Sequence, residues 1–204
     1  MRKKIFFDLD GTLLDSKDRL YQLFQNLVPA STLSFDSYWD LKRNKIAHKQ
    51  ILQTQFSYTT EEVLVFERAW LERIELAEWL ALDKPFVGVT EYLTELRKRH
   101  SLYLVTARQF KDVALKQLDQ YGWGEVFEDV FVTSQKSEKY DLIKEGVETK
   151  STDWLVGDTG KDIQTGKQLG VQTAAVLSGF LNAETLLPYN PDIIINSVLD
   201  LKVD

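Results

Sequence analysis

Cysteine is missing from all 204 residues of this chain. Its absence excludes disulfides, thiol nucleophiles and thiolate metal sites. No apolar run approaches the roughly 20 residues that a membrane-spanning helix needs. Arg2, Lys3 and Lys4 lead directly into an apolar strand, with no space for a cleavable signal, so a cytoplasmic setting is expected. A basic excess is lacking as well. The 25 Lys and Arg against 31 Asp and Glu leave a net charge of −6, which argues against general nucleic-acid binding. Anionic substrates are not excluded, because a bound cation reverses the sign of a local field. Low-complexity segments and internal repeats are absent. At 44% hydrophobic and 27% charged residues, the composition is that of an ordinary globular chain. Its length suffices for one domain with an insertion, or for two small ones.

What is present concentrates at strand ends. Ile5, Phe6 and Phe7 form a short run of β-formers that stops at Asp8 and Asp10, followed by Gly11 and Thr12. Two carboxylates so close to a core must be paired or metal-bound. Gly11 permits a sharp turn straight after them. Thr12 reads equally as a loop hydrogen bond or as a ligand contact. Far downstream, Trp154, Leu155, Val156 and Gly157 are followed by Asp158 and Asp162. A helix starting near Gly160 would offer its N-terminal amides to an anion. The C-terminal edge of an open α/β sheet is where ligands bind. Carboxylate oxygens gathered there from two strands suit Mg²⁺ better than zinc or copper.

Two further strand ends lie between these. Leu102 to Val105 stops at the hydroxyl of Thr106, followed by Ala107, whose N–H can approach a ligand, and by Arg108. Val130 to Val132 stops at Thr133 and Ser134, with Lys136 and Lys139 at the start of a predicted helix. Acid pair, hydroxyl, lysine and acid pair, in that order, resemble the haloacid dehalogenase superfamily, whose motifs are DxDGT, Ser/Thr, Lys and GDxxxD. The resemblance covers essentially the whole chain. It implies that Asp8 is a nucleophile forming an aspartyl-phosphate, and that Asp10 is the general acid and base. It implies Mg²⁺ held by Asp8, the backbone carbonyl of Asp10 and Asp158, with Asp162 in support. Thr106 and the N–H of Ala107 would bind phosphoryl oxygens, and a lysine would neutralise their charge. Lys139 is preferred, because Leu142 and Ile143 follow it at helical spacing. Lys136 is the alternative. Arg108 is expected on the substrate or its phosphate.

The pattern predicts an α/β fold with a doubly wound, Rossmann-like parallel sheet, formed by residues 1–16 and 85–204. Helices are expected over 89–99, 109–120, 137–146 and 162–169, and strands over 102–106, 127–133, 153–157 and 172–176. Ile193, Ile194 and Ile195 read as an edge strand. Residues 17–84 instead show helical periodicity, with Val63, Phe66, Trp70, Ile74 and Ala77 in one long stretch from Thr60 to Leu82. In the resembled superfamily an insertion there is a helical cap that shields the reaction from water. Trp39, Lys42, Arg43, Lys45, His48 and Lys49 make one stretch of it basic. Arg43 and Lys45 are candidates for reading an anionic substrate, against the alternative of a solvated helix face. His48 has no ligand-spaced partner, and the tryptophans at 70, 79, 123 and 154 read as packing. The resemblance implies a Mg²⁺-dependent phosphatase of a small phosphorylated metabolite, similar to the phosphoglycolate phosphatase-like members, monomeric or weakly dimeric. A phosphomutase and a catalytically silent phosphate-binding module are the alternatives. Dehalogenation is disfavoured, because Asp10 supplies an acid that carbon–halogen cleavage does not need.

Overall fold

The structure, a computed structural model, describes residues 2–203. In chain order its strands are β1 (Lys4–Phe7), β2 (Leu14–Asp15), β3 (Lys84–Pro85), β4 (Ser101–Thr106), β5 (Asp129–Val132), β6 (Trp154–Gly157), β7 (Gln172–Val176) and β8 (Ile193–Ile195). Six of them form one parallel sheet in the order β5-β4-β1-β6-β7-β8. The chain leaves β1 for β4 on one side and returns to β6 on the other. The crevice at that switch point opens above the end of β1, where Asp8 stands.

Alternation along the strands divides the core into two layers. Ile5, Phe7, Leu104 and Val156 face one side, beneath α6 (Val89–Leu96) and α7 (Lys111–Gln120). Phe6, Val105 and Leu155 face the other side with Ile143 of α8 (Lys139–Gly146). Ile163 of α9 (Gly160–Leu169) packs on Ala175 of β7. Each of the larger side chains among these, fully buried, contributes about 1.5–3 kcal/mol. The sheet is therefore rigid where it delivers its acids.

Between β2 and β3 run five helices: α1 (Lys17–Leu27), α2 (Phe35–Arg43), α3 (His48–Phe56), α4 (Thr60–Arg73) and α5 (Ala77–Leu80). The first four share a cluster around Phe24, Tyr38, Ile51, Val63 and Phe66. His48 belongs to this packing: its Nε2 lies 2.8 Å from the Tyr38 hydroxyl, and its ring packs against Phe24 and Trp70. Burial, with help from Lys42, pushes its pKa well below the ordinary range. Thr59 and Glu62 cap α4 reciprocally, as their spacing suggests.

The long stretch predicted from Thr60 to Leu82 breaks after Arg73. Glu75 leaves the helical path there and accepts the amides of Gln109 (2.7 Å) and Phe110 (3.3 Å), just ahead of α7. Those donors begin a helix and have no partner within it, so a carboxylate from another part of the chain satisfies them. The small antiparallel pair β2–β3, with Leu14 opposite Pro85 and Asp15 opposite Lys84, is also absent from the sequence reading. Two residues a side are too short to show a period. Among the described residues, no helix is long and apolar enough to cross a membrane.

Candidate active site

Asp8 follows β1, and its backbone N–H donates to Val156 O of β6 at 2.9 Å. Its carboxylate lies at the floor of a cavity of about 1180 Å³ that also takes in Asp10, Thr106, Ala107, Lys139 and Asp158. Lys139, the first residue of α8, donates from Nζ to Asp8 Oδ1 (2.5 Å) and to Asp162 Oδ1 (2.6 Å). Lys136 reaches only the cavity rim and is exposed. Of the two candidate lysines, Lys139 is the one in contact with the acids.

Asp158 and Asp162 are almost wholly buried. Phe180 N donates to Asp158 Oδ2 at 2.6 Å, and the Thr12 hydroxyl lies 3.4 Å from Asp8 Oδ2 and 3.5 Å from Asp158 Oδ1. Asp162 Oδ2 accepts from the N–H (3.1 Å) and hydroxyl (2.6 Å) of Thr159, at the start of α9. Oxygens of Asp8, Asp158 and Asp162 lie within 4.8 Å of one another. Burial raises Asp8 to about 7, with Lys139 opposing and Asp162 adding to the shift. Burial, then Asp8 and Asp162, push Asp158 well above the usual carboxylate range. Burial would lower Lys139, but Asp162 and Asp8 outweigh it and raise its pKa. Three buried acids and one lysine leave negative charge uncompensated. A divalent cation with oxygen preference fits that deficit and that donor set.

The cradle around Asp158 is built from missing side chains. A Cβ on Gly179 would stand 2.0 Å from Asp158 Oδ2, and one on Gly11, at φ +86°, 2.4 Å from the same atom. Gly179→Ala is therefore expected to displace Asp158 and cost about 2 kcal/mol or more. Chemical denaturation with and without Mg²⁺ checks this; an unchanged midpoint and an unchanged Mg²⁺ response would refute it.

Asp10 lines the same cavity, held by groups from two segments. Arg108 donates from Nε to Oδ2 (2.6 Å) and from Nη2 to Oδ1 (2.7 Å). Arg19 Nη2 (2.5 Å) and the Ser16 hydroxyl (2.7 Å) donate to Oδ1. Burial alone would raise Asp10, but Arg108 and then Arg19 hold it well below the usual carboxylate range. Arg108, expected on the substrate or its phosphate, donates to Asp10, Asp83 and Gln117. Arg43 is likewise outside the cavity lining. Its carbonyl accepts from Asn182 N (3.3 Å) and the Thr185 hydroxyl (3.2 Å), while Lys45 lies on the lining with its Nζ 5.1 Å from the ring centroid of Tyr189.

Arg19, Asp83 and the Gly179–Phe180 turn were missed by sequence reasoning. For Arg19 a signal existed: it stands four residues before Leu23, on the buried stripe of α1.

The model of the family described as haloacid dehalogenase-like hydrolase matches residues 5–176. The chain belongs to that family. Among curated relatives of family-like length, pyrophosphatase PpaX of Halalkalibacterium halodurans is 26% identical, covering 97% of this chain and 94% of its own. The phosphoglycolate phosphatase of Aquifex aeolicus is 26% identical over 90% of this chain and 89% of its own. The crystal structure of a haloacid dehalogenase-like hydrolase from Bacteroides fragilis superposes with a TM-score of 0.79 at 17% identity, covering 99% of this chain and 100% of that one. Asp8 follows β1, Thr106 ends β4 and Asp158 follows β6, all at the C-terminal edge of the sheet, and Lys139 begins α8.

Proposed function

We propose that this hydrolase is a Mg²⁺-dependent phosphatase of a small phosphorylated molecule, working through an aspartyl-phosphate on Asp8. The observation that carries the reading is the Asp8 carboxylate at the cavity floor with Lys139 2.5 Å away and two further buried acids beside it. Asp8 attacks phosphorus, the bond to the leaving oxygen breaks, and that oxygen takes a proton from Asp10. Water then attacks the aspartyl-phosphate, the bond between phosphorus and Asp8 breaks, and Asp10 accepts the water's proton. Asp10, gripped as an anion by two guanidinium groups, suits the second step, and the proton it gains there serves the first step of the next turnover. Thr106 and the Ala107 N–H hold phosphoryl oxygens, and Lys139 offsets their charge. Asp8, the Asp10 carbonyl and Asp158 would hold Mg²⁺, with Asp162 supporting; when bound, the ion neutralises charge on the phosphoryl group and the attacking carboxylate.

The five helices over 17–84 act in this reading as a cap over the core of 1–16 and 85–204. The cap closes the site to water and contributes Lys45 to the cavity. Lys45, with Lys136 across the rim, suits a substrate that carries a second anionic group next to its phosphoryl group. Relatives named for pyrophosphate and phosphoglycolate are consistent with that class. Release of inorganic phosphate from a panel of phosphorylated metabolites, with MgCl₂ or with excess chelator, tests the function. Turnover unaffected by chelator, or none on any phosphate ester, would overturn it.

Lys45→Ala is expected to raise KM about tenfold for a substrate with a second anionic group, and to spare p-nitrophenyl phosphate. Arg43→Ala is expected to change neither, because only its backbone is engaged. Parallel steady-state kinetics on both substrates decide the matter. Equal loss on both for Lys45→Ala would place the residue in the fold or on the phosphate.

A further inference from the structure

Asp10 is gripped by two cations that belong to different parts of the chain. Arg108 follows β4 and forks onto both carboxylate oxygens, whereas Arg19 lies in α1 of the helical segment. Both guanidiniums also meet a second carboxylate, Asp83, which is the last residue before β3. Arg19 Nε stands 3.0 Å from Asp83 Oδ1, and Arg108 Nη2 stands 3.2 Å from Oδ2. Gln117 locks the arrangement from α7, donating to Asp83 Oδ2 (3.0 Å) and accepting from Arg108 Nη2 (3.0 Å). Arg19, Arg108 and Asp83 are each no more than 4% exposed. Two cations and two anions cancel only when all four are present, and removing one strands a buried charge.

We propose that Arg19, Arg108 and Asp83 are positioning residues that set the Asp10 carboxylate for proton transfer, and that Arg19 makes this setting conditional on docking of the helical segment. The proposal rests on the acid–base role given to Asp10 above. A bidentate guanidinium fixes the plane of a carboxylate, which a single lysine cannot do. Asp10 needs such fixing, since its side chain is 20% exposed at the cavity edge. Arg19 and Asp83 lie just beyond the two strands, β2 and β3, that join the helical segment to the sheet. A swing of the segment about that joint therefore carries Arg19 away from Asp10, while Arg108 stays with the sheet. Arg19 Nη1 also donates to Ile74 O at 3.3 Å, which ties it to the same segment's far end. Proton transfer is thereby coupled to closure, so that the acid is aligned only when water is excluded.

Arg19→Met tests this with two leaving groups. A p-nitrophenolate departs without a proton, whereas the alkoxide of a simple alkyl phosphate needs one. In single-turnover release of the leaving group, the variant is expected to lose about 30-fold or more on the alkyl phosphate and less than about threefold on p-nitrophenyl phosphate, whereas steady-state kcat falls on both because water activation uses the same carboxylate. Equal losses on both substrates in that first step would overturn the proposal, because a merely structural role lowers both alike. Arg19→Lys keeps the charge but loses the fork, so it is expected to fold like the parent and to show the same split between substrates. Hydrogen exchange gives a readout free of activity. Amides of residues 8–14 are expected to exchange about tenfold faster in either variant, with those of β6 unchanged. Unaltered exchange in 8–14 would overturn the positioning role even if the enzyme hydrolysed no phosphate ester, an outcome that would by itself overturn only the acid–base reading.

Discussion

Asp8→Asn is expected to abolish turnover, by about 10⁴-fold or more, while leaving the fold intact. The amide preserves the shape and still offers an oxygen to Lys139 Nζ, which keeps Asp162 as its ionic partner at 2.6 Å. What disappears is the negative charge that attacks phosphorus. That charge is held at some cost, since burial raises the Asp8 pKa to about 7. The variant is therefore expected to melt no lower than the parent in the absence of metal, which separates lost chemistry from lost structure. Circular dichroism and initial rates on p-nitrophenyl phosphate provide both measurements. Near-normal activity would remove the covalent mechanism, as would trapped phosphate label mapping to a different residue.

Asp158→Asn is expected to weaken Mg²⁺ by about 100-fold or more, and Asp162→Asn by clearly less. Asp158 faces Asp8 within the acid cluster, whereas both oxygens of Asp162 are already engaged by Lys139 and Thr159. The pH dependence follows from the direction of the shifts. Asp8, raised from 3.8 to about 7, and Asp158, also raised, take up protons on folding when no metal is bound. Metal-free stability therefore declines as pH rises from about 4 through about 7. Mg²⁺ displaces those protons, so its thermal stabilisation is expected to be larger near pH 8 than near pH 5.5. Melting curves of the parent and both variants across Mg²⁺ concentrations check each point. Equal shifts in affinity for the two variants, or a stabilisation that shrinks with rising pH, would contradict the assignment of the acids.

The sheet and its acids were legible because each motif is a local event. An apolar run of four to six residues stops at a polar side chain, and the crossover rule then places all the stops on one edge. The helix start at Lys139 was legible for a similar reason, since Leu142 and Ile143 follow it at helical spacing. The grip on Asp10 was not. Asp83 and Gln117 stand far from Asp10 in sequence and each reads alone as an ordinary surface residue, while the place of Arg19 on the buried stripe of α1 shows its burial but not its partner. Their burial arises only when the helical segment folds back over the sheet, and no periodicity encodes that approach. Arg108 shows the same limit from the other side: its position beyond Thr106 was right for the site's neighbourhood, but its acceptors come from residues 10, 83 and 117. The break after Arg73 was hidden because Ile74 and Ala77 continue the helical spacing while Glu75 is recruited to a distant helix start.

The antiparallel pairing of Leu14 with Pro85 and Asp15 with Lys84 has a consequence for how such a chain can change over time. Because the outgoing and returning strands are zipped together, the sheet meets the helical segment through a doorway of fixed width. Lengthening or shortening a helix between residues 17 and 83 leaves that doorway as it was and transmits no shift to the register of β1 against β4. Variation in the segment that spares Arg19 and Asp83 therefore leaves in place both the register of β1 and the contacts on Asp10. Swapping the segment between family members at positions 15 and 84 would exploit the same doorway.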